Sequence, residues 1–467
     1  MKLIKYSLLL LGCGVLAVSC KKELDLSDPG SFTDANAFQT IEHVQLGVNG
    51  AYGRMATYGN DIFKNAYTSD ELKVGPQNGG SGLLTYRLQY SSDATTGGDV
   101  TPGYYGNYAL IDQVNRVLPH VYTVIGGTQE RKNTLRASLL ALRAISHFNL
   151  LQSFCAAYDP NGLGVAVMTT FNPNATPPRA TMGAVMAQID ADFTEAKSLL
   201  PETNSANFSD TVINKLNIEA FQARIALYRK DYDAAIVHAT KVISSDIRPL
   251  ATDAGTFAAI WQDQSGAEVL YRVRLLTSTA MGATFTSSAG SIYFNPSDKI
   301  ISQFGAGDYR SSVYFGQDAN GQNYVNKYYI SDRGPRMVDI KVIRTAEMFL
   351  IRAEAYASKA TPDLVAGAAD LNALRGSRIN GYIDQNFSNA QDLKDAIVNE
   401  RYKELWLEGQ RFYDLKRLHL DLERGASDAA PEWQFLRWGT PEDYRFVYPI
   451  PRDATSANPN TVQNPGY

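Results

Sequence analysis

Residues 399–419, NERYKELWLEGQRFYDLKRLH, read as two short helices joined at Gly409. Glu400, Glu404 and Glu408 stand at i, i+4 and i+8, so a helix through them projects three carboxylates from one face. Like charges at that spacing repel by about 0.2–0.5 kcal/mol per pair. The row is tolerable if it is solvated, or if cations from elsewhere meet it. Arg344, Arg352, Arg375, Arg378, Arg411 and Arg417 are the nearest candidates in sequence. Leu405, Trp406, Phe412 and Leu415 put bulky apolar groups beside the row, which is unusual for a plain solvated face. The expectation is therefore an Arg/Glu network partly buried at a helix junction. Glu400, Glu404, Glu408, Arg352 and Arg411 are its structural members. The competing reading is catalytic, but a functional acid pair needs a cleft and an unusual environment. No nucleophile or metal-ligand pattern stands beside this row.

Working outward, residues 217–243, NIEAFQARIALYRKDYDAAIVHATKVI, form the clearest internal unit. They read as helix, tight turn at Lys230-Asp231, helix. Ala223, Ala235 and Ala239 fall where a tetratricopeptide hairpin brings its helices close. Residues 344–376 read as a second hairpin, turning near Thr361-Pro362. Two hairpins cannot bury their faces alone, so the helical stretches 33–57, 104–157 and 179–200 are degenerate candidates for further repeats. Thr33 or Asp34 is the expected cap of the first. From 58 to 102 the periodicity dissolves into Gly, Asn, Ser, Thr and Tyr, and a loop that long is usually functional or disordered. Residues 268–274 alternate like a strand, and 313–315 and 324–329 flank a hairpin turn at 318–321.

The fold class is mainly α: a tetratricopeptide-like helical-repeat scaffold with long loops and minor β-hairpins. The expected divisions are a signal peptide at 1–19, a tether at 20–30, a helical region at 31–250 with the insertion 58–102, a loop- and β-rich region at 251–340, and a helical region with a coil tail at 341–467.

Hydrophobic content of 44% and charged content of 20% fit a globular chain with a large core. The formal charge is −4, and loss of residues 1–19 removes Lys2 and Lys5 and leaves −6. That balance argues against a nucleic-acid partner, which calls for a basic stripe. Lys2 and Lys5 form a positive n-region at the start of an almost unbroken apolar run over 4–18, too short to span a membrane and right for a signal peptide. The run ends LAVSC at Cys20, which resembles a lipobox; Cys13 is a rival. Cys20 is the expected lipid anchor, and several acyl chains on one residue give stable membrane attachment. Cys155 is then the one cysteine left, so no internal disulfide can form.

His43, His120, His147, His238 and His419 show no paired metal-ligand spacing, and the sequence has no GxSxG, P-loop or Rossmann fingerprint. No cofactor or metal is expected. What remains is aromatic density in loops. Tyr86, Tyr90, Tyr104 and Tyr105 cluster around the first insertion, with Arg87, Asp93 and Asn107 nearby. Phe285, Tyr293 and Phe294 form a second group beside Ser287, Ser288 and Asn295. Rings stack on the C–H faces of sugars while amides and guanidinium groups bond the hydroxyls. The bland alternative is that the rings pin irregular loops to the scaffold. The expected ligand contacts are Tyr104, Tyr105, Asn107, Arg87, Tyr90, Tyr293 and Phe294. Tyr104 and Tyr105 are the favoured platforms, because the apolar stripe of their helix is read as beginning at Tyr108.

Several stretches together resemble the SusD/RagB family. They are 344–356 (RTAEMFLIRAEAY), 370–375 (DLNALR), 400–411 (ERYKELWLEGQR), 414–417 (DLKR), 448–451 (YPIP) and 463–467 (QNPGY). Residues 142–144, 147–148 and 162–165 add to it. The frame Tyr108-x-x-Ile111-x-x-x-Asn115 resembles the family near its binding site, with Tyr104-Tyr105 where relatives often have Trp. The resemblance covers nearly the whole mature chain and is densest over 344–467. It implies a non-enzymatic nutrient-binding lipoprotein, anchored in the outer membrane by its lipid alone and exposed at the surface. Such a protein captures an oligosaccharide, or less often a peptide, and passes it to a SusC-like TonB-dependent transporter. A protein-binding helical scaffold and a surface glycosidase are the alternatives.

Overall fold

The structure, a computed structural model, describes residues 37–93, 98–275, 281–287 and 289–467. Cys20, Cys13 and the expected caps Thr33 and Asp34 lie outside them. The first described helix, α1 (Ile41–Arg54), starts later than the sequence suggests, because the Thr40 side chain accepts from the His43 amide. A helix then follows where the insertion was expected to begin: α2 (Tyr58–Thr68). Its periodicity is hidden because it buries Asp61, Lys64, Asn65 and Thr68 along with its apolar residues. Each of these residues has a buried partner, Lys64 with Asp61 and Ser153, Asn65 with the Phe412 amide and Thr68 with the Tyr448 hydroxyl, while Asp61 Oδ2 and Asn65 Nδ2 have no hydrogen-bond partner among the described residues.

After a short helix α3 (Leu83–Tyr86), the scaffold is a run of packed helical pairs. Helix α4 (Pro102–Val117) lies against α1 and against α5 (Gln129–Phe154), and α5 packs on α6 (Met182–Leu199). The hairpin of α7 (Lys215–Tyr228) and α8 (Tyr232–Ser244) turns at Lys230, whose φ is 61°, and Asp231 caps α8 by accepting from Ala234 N at 3.2 Å. Ala223, Ala235 and Ala239 are fully buried, and that is what lets the two backbones approach. Past α9 (Ala254–Trp261), α10 (Asp298–Ile301) and α11 (Arg310–Tyr314), the second hairpin is α12 (Thr345–Ser358) with α13 (Leu364–Gly376). Helix α12 packs on both α8 and α14 (Ala390–Glu404), continuing the stack. The chain ends with α15 (Arg411–Leu418), coil, and α16 (Arg452–Ala457). The small sheets are all antiparallel pairs, among them Val269–Val273 with Ile340–Arg344 and Phe315–Gln317 with Asn323–Val325.

The row of glutamates is at the centre of this scaffold, but not on one helix. Helix α14 stops at Glu404, and Leu407 (φ 56°) and Gly409 (φ 76°) turn the chain before α15. Glu408 therefore sits in the turn and returns to the same cation cluster from outside the helix. Glu404 is fully buried and accepts from Arg310, Arg344 and Arg378 at 2.9–3.0 Å. Glu268 accepts from Arg344 and Arg378, and Glu408 accepts two bonds from Arg344 and one from Lys327 at 2.8 Å. Glu400 pairs with Arg310 and Arg375, both at 2.7 Å. The turn's carbonyls are met as well: Tyr314 bonds Glu404 O and Tyr328 bonds Leu407 O.

Three of the six candidate arginines belong elsewhere. Arg352 pairs with Asp370, closing the α12–α13 hairpin, and Arg411 makes two bonds to Asp70 at 2.8 and 2.9 Å. Arg417 pairs with Glu354 and Asp414. Arg310, Lys327 and Glu268 carry no local signal for the cluster, because their partners within it lie more than 70 residues away in sequence.

Two stability predictions follow from this geometry. Glu404→Ala removes the one carboxylate shared by three buried guanidinium groups, each of which keeps another acid partner, and should cost ~3–5 kcal/mol by denaturant unfolding, whereas a loss under about 1 kcal/mol would mean the cluster is effectively solvated. For pH, burial alone would raise the Glu400 carboxyl, but Arg310, Lys403 and Arg375 outweigh it and hold it down to about 2. Its contribution is complete above the ordinary value of 4.5 and is lost as the pH falls toward 2. Burial pushes Glu71 up to about 7, so its contribution instead declines as the pH rises from 4.5 to 7. Glu71→Gln should flatten the second slope and leave the first, read by urea titrations across that range.

Candidate ligand-binding face

The buried cluster positions the loops as well as the helices. Asp70, held by Arg411 and Lys299, and Glu71 precede the first strand, β1 (Leu72–Val74). The Glu71 carboxylate accepts from Leu407 N at 2.7 Å, and its carbonyl accepts from the Trp406 indole at 3.1 Å. The strand therefore leaves the glutamate turn at a fixed angle. It pairs antiparallel with residues 294–296, Lys73 opposite Asn295 and Val74 opposite Phe294. Beyond the strands, Gly75 N donates to Tyr293 O at 2.8 Å, and Asn78 Nδ2 donates to the same carbonyl at 3.0 Å. The Gln77 side chain accepts from Ile292 N at 3.0 Å. Asn295 Nδ2 then bonds Asn323 O, which brings the 315–325 hairpin alongside. Two loop systems more than 200 residues apart in sequence are thus joined into one face.

Only part of the expected ligand set lies there. Tyr293 is half-buried at this face. Phe294 is fully buried and stacks on Tyr67 at 4.5 Å, so its ring belongs to the core. Tyr90 is 2% exposed, bonds Arg445 O and lies edge-on to Tyr448. The Arg87 guanidinium covers the Trp433 ring at 4.3 Å, and its Nε is buried without a hydrogen-bond partner among the described residues. Segment 86–93 therefore packs on the C-terminal coil, with Tyr86 bonded to Asp428 O and Asp93 paired with Arg452.

Tyr104 is 9% exposed, packed at 5.1 Å against Phe154 and at 4.9 Å against Tyr108. Burial pushes its hydroxyl up to about 12. Because α4 begins at Pro102, the apolar stripe starts one turn earlier than Tyr108, and Tyr104 belongs to it at i−4. Asn107 is likewise locked, donating to Gly103 O at 2.8 Å and accepting from Asn149 at 3.3 Å. Tyr105 does face outward, 45% exposed, with Tyr104 and the Asp453 carboxylate of α16 as neighbours.

The face holds rings that were read only as strand residues. Tyr324 and Tyr329 are half-buried, with ring centroids 4.8 Å apart and planes tilted by 52°. Tyr324 stands opposite Gly316, where the absence of a side chain lets the ring lie on the backbone. Across the hairpin, Gln317 donates to Asn323 Oδ1 at 3.1 Å, with both side chains on the face opposite Tyr324. The one sequence signal for them was the hairpin turn, realised with Asp318 accepting from Asn320 N and Gln322 N at 2.8 Å. Among the described residues, no cluster of His, Cys, Asp and Glu could hold a metal ion.

Comparison with known proteins agrees with this architecture. A family model described as "SusD family" matches residues 322–467, and one described as "Starch-binding associating with outer membrane" matches 24–227. Two Formosa agariphila relatives are similar along nearly their whole length. SusD-like protein P2 is 25% identical over 99% of this chain and 100% of its own, and SusD-like protein P38 is 22% identical over 89% and 91%. The fold matches that of a SusD superfamily protein from Bacteroides thetaiotaomicron, with a TM-score of 0.80 at 23% identity over 91% of this chain and 100% of the other. A SusD-like carbohydrate binding protein from Bacteroides vulgatus gives a TM-score of 0.76 at 22% identity, covering 91% of this chain and 98% of the other. With its two ends matched by these models and the same helical stack between them, the chain belongs to the SusD family.

Proposed function

We propose that the protein binds an oligosaccharide on the face formed by 72–82, 285–296 and 315–329, and delivers it to a TonB-dependent transporter in the outer membrane. The observation that carries this reading is the joining of two distant loop systems, which brings Gln77 and the half-buried Tyr293 alongside the hairpin that carries Tyr324, with the Tyr329 ring beside it. Half-exposed rings offer a stacking surface at low conformational cost, and an amide offers both donor and acceptor to hydroxyls. The description of the matching family as starch-binding and associated with the outer membrane supports the ligand class and the location. Binding without turnover is the expected behaviour.

Tyr293→Ala and Tyr324→Ala should each weaken binding of the oligosaccharide that a glycan panel identifies by about tenfold, ~1.4 kcal/mol, with little change in melting temperature. Isothermal titration checks this, with Tyr105→Ala as the contrasting variant. If Tyr105→Ala loses affinity and the other two do not, the ligand sits beside α16; release of reducing ends from the panel would replace binding with hydrolysis.

We also propose that Cys20 carries the lipid. Cys20→Ala should abolish labelling by a palmitate analogue and move the protein out of the membrane fraction, and unchanged labelling would exclude it.

A further inference from the structure

Glu71 joins the glutamate turn to both loop systems of the ligand face. Its carbonyl accepts from the Trp406 indole at 3.1 Å and from Ser297 N at 3.1 Å, and the next residue begins β1. The Ser297 hydroxyl also donates to Asp70 O at 2.7 Å, so residues 70–71 hold the end of the second loop system as well as the start of the first. The Glu71 side chain is fully buried and reaches back to the turn, where Oε1 accepts from Leu407 N at 2.7 Å.

The other carboxyl oxygen decides which form of the acid this place is built for. Ser69 Oγ lies 3.1 Å from Glu71 Oε2 and 3.2 Å from Ala66 O. Ala66 O is among the last carbonyls of α2, which have no partner within the helix. A hydroxyl has one proton to give. With Glu71 ionised, the Ser69 proton serves one of the two acceptors and leaves the other buried and unmet. With Glu71 neutral, its own O–H donates to Ser69 Oγ, the serine proton goes to Ala66 O, and every acceptor is filled.

The surroundings favour the same form. Arg411 and Lys299 both pair with Asp70, whose carboxyl is held well below the usual range and stays charged beside Glu71. Tyr402 of α14 and Tyr328 also face Glu71, and burial pushes both hydroxyls up, so they are neutral. Burial, aided by the Asp70 charge, outweighs the Leu407 amide, Ser69 and Arg411 and brings the Glu71 carboxyl up to about 7.

We propose that Glu71 is a positioning residue for the ligand face: as a neutral acid it holds β1 and residues 292–297 in place, and its ionisation loosens them and weakens oligosaccharide binding. This rests on the reading of that face as the oligosaccharide site. A buried carboxylate here needs water or a further donor, and either one opens the contact between the 405–409 turn and the start of β1. Gly75, Gln77 and Asn78 bond the backbone of Ile292 and Tyr293, so a shift of the strand moves the Tyr293 ring with it.

Glu71→Gln is the informative variant. Its amide accepts from Leu407 N and donates to Ser69 Oγ as the neutral acid does, and it cannot ionise. Lys327, brought down to about 8 by burial, titrates in the same range and is untouched by the substitution. Isothermal titration of the full-length mature protein with the glycan that the panel identifies, at pH 6.0 and 8.5, should show wild-type affinity about tenfold weaker at the higher pH. The variant should hold its affinity within about twofold. Hydrogen exchange without glycan, corrected for the intrinsic rate, should show residues 72–78 and 290–297 losing protection at pH 8.5 in the wild type and keeping it in the variant, with residues 217–243 alike in both. If no glycan binds at either pH, the oligosaccharide reading fails, and exchange alone decides the role of Glu71. The proposal is overturned if wild-type affinity is the same at both pH values, or if Glu71→Gln follows the wild-type pH dependence in either measurement.

Discussion

Glu404 is a carboxylate without access to water, surrounded by the guanidinium groups of three arginines that come from three separate segments. Each ion in such a cluster gives up several kcal/mol of hydration. The cluster is therefore tolerable only when every member is present and oriented, an all-or-none condition that favours one arrangement of the chain. Here it fixes the entry to α12 through Arg344, the end of α13 through Arg378, and the end of α14 through Glu404 itself. The short helix at Arg310 and the strand residue beside Glu268 are tied to the same point. Helical repeats gain stability mainly from their neighbours in the stack, so a shared ionic centre adds a contact between segments that do not adjoin in sequence.

The same centre reaches the ligand face. Glu71 takes the Leu407 amide, Asp70 takes Arg411, and β1 then carries its partners into position. The turn that supports this includes Leu407 in the left-handed region, a conformation that costs a non-glycine residue roughly 1–2 kcal/mol. The bonds from Tyr328 and Glu71 to its carbonyl and amide keep it there. The rigid scaffold and the face are thus mechanically one unit, and the loops inherit their placement from buried charge.

The hairpins were legible because their signals are local: an alanine at each close approach and an aspartate cap after a left-handed lysine. The acidic row and the family resemblance were legible for the same reason. The helix at Tyr58–Thr68 was not, because its buried polar residues are bonded to Ser153, Phe412 and Tyr448, partners that no window of sequence contains. The break at Glu404 was hidden by a leucine in a conformation that favours glycine. At the ligand face, aromatic residues in loops could be counted but not oriented. Tyr104 lies in the apolar stripe because its helix begins at Pro102, whereas Tyr324 and Tyr329 carry no sequence signal beyond their strand and turn. Burial against Phe154 decides one case and a glycine across the strand decides the other.

That glycine separates stability from evolvability. Gly316 gives Tyr324 a flat bed of backbone in a hairpin whose flanks, Tyr314 and Lys327, are tied to the ionic centre but whose own strands carry no member of it, and any side chain there would lift the ring from the strand. The height and tilt of one wall of the face are therefore set by a residue on which no buried charge depends. A lineage carrying this scaffold can change what the face accepts by substitutions in the hairpin alone, while the charged core that makes the fold intolerant of change stays as it is.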